Sequence, residues 1–184
     1  MQLVILISGH NASGKTTLAN RLASDLQINN IDGDSFREFI KSTIYYYRDL
    51  DYSVANPKAQ SLMSLVLTYR AGLTKVLLSQ GQSMLYQAGL IRRADRETVI
   101  NDIRKASDTC HIVLIHCQLP EEDLLRRLEE RQQQNRQSRW VDHYVDDKKH
   151  KFEQPDERES DSFLTYNQEN YEEVIAYLAQ LLAQ

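Results

Sequence analysis

Cysteine, proline, glycine and tryptophan are all scarce in this chain, at two, three, six and one among 184 residues. So little glycine and proline excludes a collagen-like or low-complexity polypeptide. The two cysteines, Cys110 and Cys117, bracket one apolar run and would stand about 23 Å apart on an extended strand, beyond disulfide reach. They read as reduced thiols, and the expected compartment is cytosolic. Basic charge is not in excess: 22 Lys and Arg against 26 Asp and Glu leave a net charge of −4. No broad positive field is therefore available to hold duplex nucleic acid through its phosphates. The longest unbroken apolar runs, Leu3 to Ile7 and Ile112 to Ile115, fall far short of the roughly 20 residues of a membrane span. Met1-Gln2-Leu3 leads straight into a strand pattern, with neither a basic n-region nor a small-residue cleavage site, so neither export nor membrane insertion is expected. The five histidines, His10, His111, His116, His143 and His150, show no HExxH and no Cys/His ligand spacing, which predicts no zinc site.

What is present is 41% apolar and 26% charged side chains, the proportions of one soluble globular domain covering residues 1–184. Short apolar runs alternate with longer amphipathic stretches, the pattern of a parallel sheet covered by crossover helices. The unalternated, β-branched Leu3 to Ile7 predicts a central strand buried on both faces. Further strands are expected at 28–32, 83–88, 111–117 and 161–166, and helices at 15–26, 35–47, 56–79, 95–107, from Pro120 onward, and 171–182. Val174, Ile175, Leu178, Leu181 and Leu182 form the apolar face of that closing helix. Over residues 131–160 periodicity stops and Arg, Gln, Asp, Lys and Glu dominate, which predicts a mobile lid. The fold class is α/β: three layers, with a sheet of about five parallel strands flanked by helices.

Gly9-His10-Asn11-Ala12-Ser13-Gly14-Lys15-Thr16 satisfies GxxxxGK[ST], between the first strand and the first helix. Glycines there let the backbone wrap an anion, and the helix N-terminus adds positive partial charge. Residues Gly9 through Thr16, with Thr17 following, are the candidate nucleotide-binding residues. Lys15 would bridge the β- and γ-phosphates, and the Thr16 hydroxyl would be a ligand of Mg²⁺. No Asn-Lys-x-Asp guanine-reading motif occurs, so ATP is the expected nucleotide.

The second strand ends in Asp32-Gly33-Asp34-Ser35-Phe36-Arg37. Two carboxylates two residues apart share one face of a strand and would overlook the crevice where α/β ligands bind. One could hold Mg²⁺ and the other accept a proton from an attacking hydroxyl. The alternative is a plain β-turn, for which Asp-Gly-Asp is ideal. At this point the sequence resembles the small P-loop kinases of the nucleoside-monophosphate-kinase-like superfamily, in which gluconate kinase and adenylylsulfate kinase carry a similar segment. Gly81 to Glu97, with its Arg92-Arg93-Ala-Asp-Arg96, is similar to small-molecule kinases often labelled AAA-family ATPases. The resemblance implies the P-loop NTPase fold, Asp34 as base and Asp32 as the metal-side group. It also implies an acidic residue near the end of strand three, where this chain has Gln87.

Arg37, Arg92 and Arg93, with Arg96 behind them, are candidates to grip an anionic acceptor, since guanidinium forks suit carboxylate and phosphate. A solvated helix start is the alternative. In the lid, the resemblance implies that Arg131 stacks on adenine and that Arg136 and Arg139 reach the transferring phosphate. It also implies an adenine pocket near Phe152-Glu-Gln-Pro155. Tyr45, Tyr46, Tyr47 and Tyr52 lie in the region that holds the acceptor in similar enzymes, although packing is the simpler role for them. Three functions are compatible with these motifs. The first is an ATP- and Mg²⁺-dependent phosphotransferase acting on a hydroxyl of a small molecule. The second is a nucleotide-binding regulatory module in which Gln87 marks lost catalysis. The third is a 5′-hydroxyl nucleic-acid kinase, which the negative net charge disfavours. The oligomeric state is left open.

Overall fold

The computed structural model describes residues 1–47, 50, 56–87, 90–134 and 140–184, with the backbone alone for Trp140, His143 and Lys149. Five strands make one parallel sheet, in the order β2-β3-β1-β4-β5. β1 (Leu3–Ser8) is buried along its whole length, as an unalternated apolar run requires. It pairs with β3 (Met84–Gln87) on one side and β4 (His111–Cys117) on the other. β2 (Asn29–Asp32) and β5 (Ser162–Tyr166) form the two edges.

Alternation along β1 sends its side chains into two cores. Leu3, Ile5 and Ile7 pack with Leu18 and Leu22 of α1 (Lys15–Leu26) and with Val174, Leu178 and Leu181 of α7 (Tyr171–Leu182). Val4 and Leu6 face the other way, onto Leu78 of α3 (Pro57–Ser79) and Ile103 of α4 (Arg93–Ala106). The closing helix has the bounds its periodicity predicts, and all five expected apolar positions join the first core. α2 (Gly33–Thr43) continues into a 3₁₀ turn at Tyr45–Tyr47, where Tyr47 is buried and bonded to Ser61 at 2.8 Å, while Tyr45 and Tyr46 are exposed. Tyr52 lies outside the described residues.

α3 starts as predicted, with the Asn56 side chain accepting from the Lys58 N–H and Pro57 in the first turn. It buries every fourth residue from Leu62 through Val66, Arg70 and Thr74 to Leu78. Among the described residues, α3 is long and apolar enough by length and composition to cross a membrane, although polar residues interrupt its apolar runs. In this fold it packs between α2 and α4.

Residues 131–160 hold more regular structure than their lost periodicity implies. α5 (Glu121–Gln134) extends into the segment, and α6 (Trp140–His150) follows. Tyr144 of α6 packs with Leu124 and Leu128 of α5 and with Ala12 of the loop after β1. A 3₁₀ turn at Glu157–Glu159, closed by a capping box from Asp156 to Glu159, precedes β5. Polar helices of this kind form because a few apolar residues find partners across the fold, a signal too sparse for a moment to register.

Candidate active site

The sheet brings the chemistry-bearing residues to its carboxyl end, the position where α/β folds bind ligands. The loop after β1 turns on Gly9 (φ +139°), Ala12 (φ +65°) and Gly14 (φ +96°). Gly9 has no room for a side chain, because a Cβ there would stand 2.8 Å from Ser13 Oγ and 2.9 Å from the Cys117 carbonyl. Gly14 opens α1 with no side-chain cap and no acidic residue in the first turn, leaving the helix N–H groups and their positive partial charge for an external anion. Lys15 Nζ lies over the loop, donating to the carbonyls of Gly9 at 2.9 Å and His10 at 2.6 Å. Burial lowers its pKa to about 8. The His10 ring packs edge-on to Tyr144 at 5.0 Å and against Phe152 at 4.3 Å, so the segment before Pro155 rests on the phosphate loop. Burial first, and then the Lys15 charge, lower the pKa of His10.

At the end of β3, Gln87 lies between Ile7 of β1 and Asp32 of β2 in the register. Its Nε2 donates to Thr16 Oγ1 at 2.7 Å, its carbonyl accepts from Arg70 Nη2 at 3.0 Å, and its Oε1 is buried without a partner. The side chains that would hold a divalent cation here offer hard but neutral oxygens. Mg²⁺ takes few protein ligands and relies on phosphate oxygens and water, so Thr16 Oγ1 together with the orphaned Gln87 Oε1 fits it. Among the described residues no group of three or more His, Cys, Asp or Glu side chains is placed to hold a metal ion.

One cleft of about 740 Å³ joins the phosphate loop, from Asn11 to Thr17, to Asp34, Arg37, Gln87, Arg92 and Arg131. Asp34 is exposed in it and paired with Arg37 at 3.1 Å. Asp32 does not line it. Its two oxygens accept from the Asp34 N–H at 2.9 Å and the Ser35 hydroxyl at 2.6 Å, so it caps α2. This is a helix-start version of the local turn role that Asp-Gly-Asp also predicts. Arg92 lies in the cleft but is bidentate to Asp95 at 2.8 and 2.9 Å. Arg93 is outside the cleft, paired with Glu97 at 2.8 Å. Arg96 is not a ligand clamp at all. It is fully buried and bidentate to Glu159 at 2.5 and 2.9 Å, with a third bond to the Leu90 carbonyl, tying α4 to the turn before β5. Arg136 and Arg139 lie outside the described residues.

Sequence reasoning missed Arg70. It enters the cleft from α3 at the end of the row Met63, Val66, Leu67, Arg70, spaced i, i+3, i+4, i+7. A lone arginine closing an apolar helical row was the available signal. The strand histidines are structural: His111 bonds Ser162 at 2.8 Å, and His116 bonds Ser8 at 3.2 Å. Cys110 and Cys117 are free and buried, and burial pushes the Cys117 thiol up to about 12.

Solved structures of similar architecture include a candidate kinase from Chloroflexus aurantiacus J-10-fl, at 18% identity and TM-score 0.78, covering 99% of this chain and 96% of that one. The APS kinase CysC of Mycobacterium tuberculosis, in complex with AMPPNP and APS, aligns at 19% identity and TM-score 0.65 over 100% of this chain and 98% of that one. A gluconokinase from Sinorhizobium meliloti 1021 aligns at 16% identity and TM-score 0.56, covering 98% and 95%. At such identities the likeness establishes the fold, the α/β fold of P-loop kinases, as the resemblance read from the sequence implied. No curated protein sequence matches the chain. The AAA_33 family, an AAA domain, matches residues 4–155, from the first strand through the phosphate loop and both cleft walls to Pro155, and the chain belongs to that family.

Proposed function

We propose that this protein is a kinase that moves the γ-phosphoryl group of ATP to a hydroxyl of a small molecule. The observation that carries the reading is the opening of a phosphate loop and an exposed carboxylate, Asp34, into one cleft. The first-turn N–H groups of α1 and the Lys15 ammonium bind the phosphates of the nucleotide. Thr16 and Gln87, with the nucleotide's own oxygens, would hold Mg²⁺, which would neutralise phosphate charge when bound. Arg37 orients Asp34. As the acceptor oxygen bonds to the γ-phosphorus and the bond to the β–γ bridging oxygen breaks, ADP departs and the hydroxyl proton passes to the Asp34 carboxylate. The lining of Met63, Val66 and Leu67 contributes apolar wall on the acceptor side. Arg131 borders the cleft and is suited to the base of the nucleotide, and the packing of Phe152 on His10 draws the 152–155 segment to the same end.

Transfer of labelled γ-phosphate from Mg·ATP into pooled sugars, nucleosides, amino alcohols and short oligonucleotides tests this. Wild type should yield labelled product and Lys15→Ala none. Asp34→Asn should lose roughly 10²- to 10⁴-fold in turnover while its ATP dissociation constant stays at the wild-type value. Wild-type turnover in Asp34→Asn would overturn the base assignment. The neutral amide of Gln87 against Thr16 favours a second reading, nucleotide binding without transfer. That reading predicts tight ATP binding with neither product nor hydrolysis.

A further inference from the structure

We propose that the outer face of α3 is the interface of a two-fold dimer, in which α3 of a second copy crosses antiparallel over Gly72. Nine of the twelve large apolar side chains left exposed among the described residues lie between Phe39 and Val76, on α2, the 3₁₀ turn and α3. Met63 and Leu67 belong to the cleft, and the other seven lie outside it. Stacking from Phe39 through Phe36 to Tyr69, with ring centroids 6.3 and 3.4 Å apart, joins the α2 and α3 portions into one surface. The seven leave on the order of 600 Å² of apolar side chain in water. That is at the top of the range for a patch on a monomer, and near the ~800 Å² per partner of a standard protein interface. Although α3 has the composition of a core helix, only 28% of its most apolar stretch is buried.

Opposite the buried row from Leu62 to Leu78, the exposed residues Leu65, Thr68, Gly72, Val76 and Ser79 are spaced three or four apart and share one face of the helix. The hydroxyls on this face are spent on their own helix, Thr68 on the Ser64 carbonyl at 2.9 Å and Ser79 on the Val76 carbonyl at 2.7 Å. Covering the face therefore strands neither of them. A Cβ on Gly72 would meet nothing within 4 Å. Glycine inside an exposed helix is less stable than alanine, and no contact among the described residues requires it here; the close approach of a second backbone does. The charges select the occupant and its direction. α3 has no acidic residue, and Lys58 and Lys75 are its exposed cations. A parallel copy would set each lysine against itself. An antiparallel copy on a two-fold axis at Gly72 pairs residues equally distant from that axis: Lys75 with Tyr69, Val76 with Thr68, and Ser79 with Leu65. An ammonium then meets an aromatic ring, Val76 meets the Thr68 methyl, and Leu65 meets a small residue. The face is complementary to itself, as an isologous interface must be, and this singles out a second copy of the chain.

Sedimentation velocity over a micromolar concentration series tests the dimer. Wild type should pass from monomer to dimer and no further. Gly72→Arg, which has open space in the monomer, should raise the dissociation constant at least about tenfold while the dilute protein melts no lower than wild type. Gln180→Arg, at an exposed position of α7, should leave association unchanged. Gly72→Ala should raise the melting temperature of the monomer and still weaken the dimer, a split that a role confined to the monomer would not give. Gly72→Cys tests the axis. Both native cysteines are buried, and the two-fold brings residue 72 of each copy within disulfide reach, so mild oxidation should cross-link this variant to itself much faster than Gln180→Cys. Wild type that is monomeric at every concentration, a dimer indifferent to Gly72→Arg, or cross-linking of Gly72→Cys no faster than the control would overturn the proposal. Monomeric wild type that co-sediments with anionic phospholipid vesicles, and loses them in Val76→Glu, would also overturn it, because the face would then belong to a membrane surface.

Discussion

Gln87 sets the electrostatics of the cleft floor. It is 6% exposed, it grips the Thr16 hydroxyl, and its own carbonyl holds Arg70, so a single residue links α1 to α3. Gln87→Glu would put a buried carboxylate beside Thr16. Without Mg²⁺ the variant should lose about 3–5 kcal/mol of stability, the penalty of an uncompensated buried charge. Saturating Mg·ATP should restore it, because the cation then neutralises the carboxylate. Thermal unfolding with and without Mg·ATP measures both, and a melting temperature equally low in the two conditions would show that Gln87 does not face the metal. The phosphate loop was legible at this scale because its glycines, lysine and threonine act through their own backbone within eight residues. Arg70 and Gly33 were not, because their relation is one of volume between residues far apart in the chain: a Cβ on Gly33 would collide with the Arg70 guanidinium.

At the scale of elements, the fully buried Arg96–Glu159 pair staples α4 to the turn before β5. Glu159 also accepts from the Asp156 N–H, and Asp156 caps the turn, so one carboxylate fixes both the turn and its place. Glu159→Gln leaves the guanidinium buried and uncompensated and should cost about 3–5 kcal/mol. The denaturant midpoint should fall with an unchanged m-value, and a loss below about 1 kcal/mol would show that water reaches the site. Its place just after strand three makes Arg96 a candidate to grip a ligand, and it is the partner on a remote 3₁₀ turn that makes it structural instead. α6 escaped detection for a related reason. Its apolar contact with Leu124, Leu128 and Ala12 centres on Tyr144, and a sequence window cannot weigh one anchor. α7 carries its whole apolar stripe within twelve residues, and its bounds were therefore readable from the chain.

For the molecule as a whole, the sheet order gathers His116, His10, Lys15 and Arg96 near one end of β4. Burial, helped by those neighbouring charges, lowers the His116 pKa to about 4 from 6.5. The unfolded chain then binds more protons than the native one between these values. Stability contributed by His116 is full above pH 6.5, falls with pH through the window and levels off below about 4. The total is on the order of 3 kcal/mol. His116→Asn, which can still meet Ser8, should flatten this part of the stability profile in denaturant titrations at stepped pH, and an unchanged difference from wild type across the window would contradict it. The sequence by itself determined the parallel α/β architecture, the phosphate loop, the bounds of the closing helix and the kinase-like resemblance. Each of these is written in periodicities or backbone requirements that act over a few consecutive residues. The tertiary structure alone decided that Asp32 caps α2 while Asp34 faces the cleft, that Gln87 meets Thr16, that Arg96 is consumed by Glu159 and that Arg70 sits on Gly33. Those outcomes depend on which side chains the sheet order and helix packing bring into contact, and no local pattern in the chain encodes that.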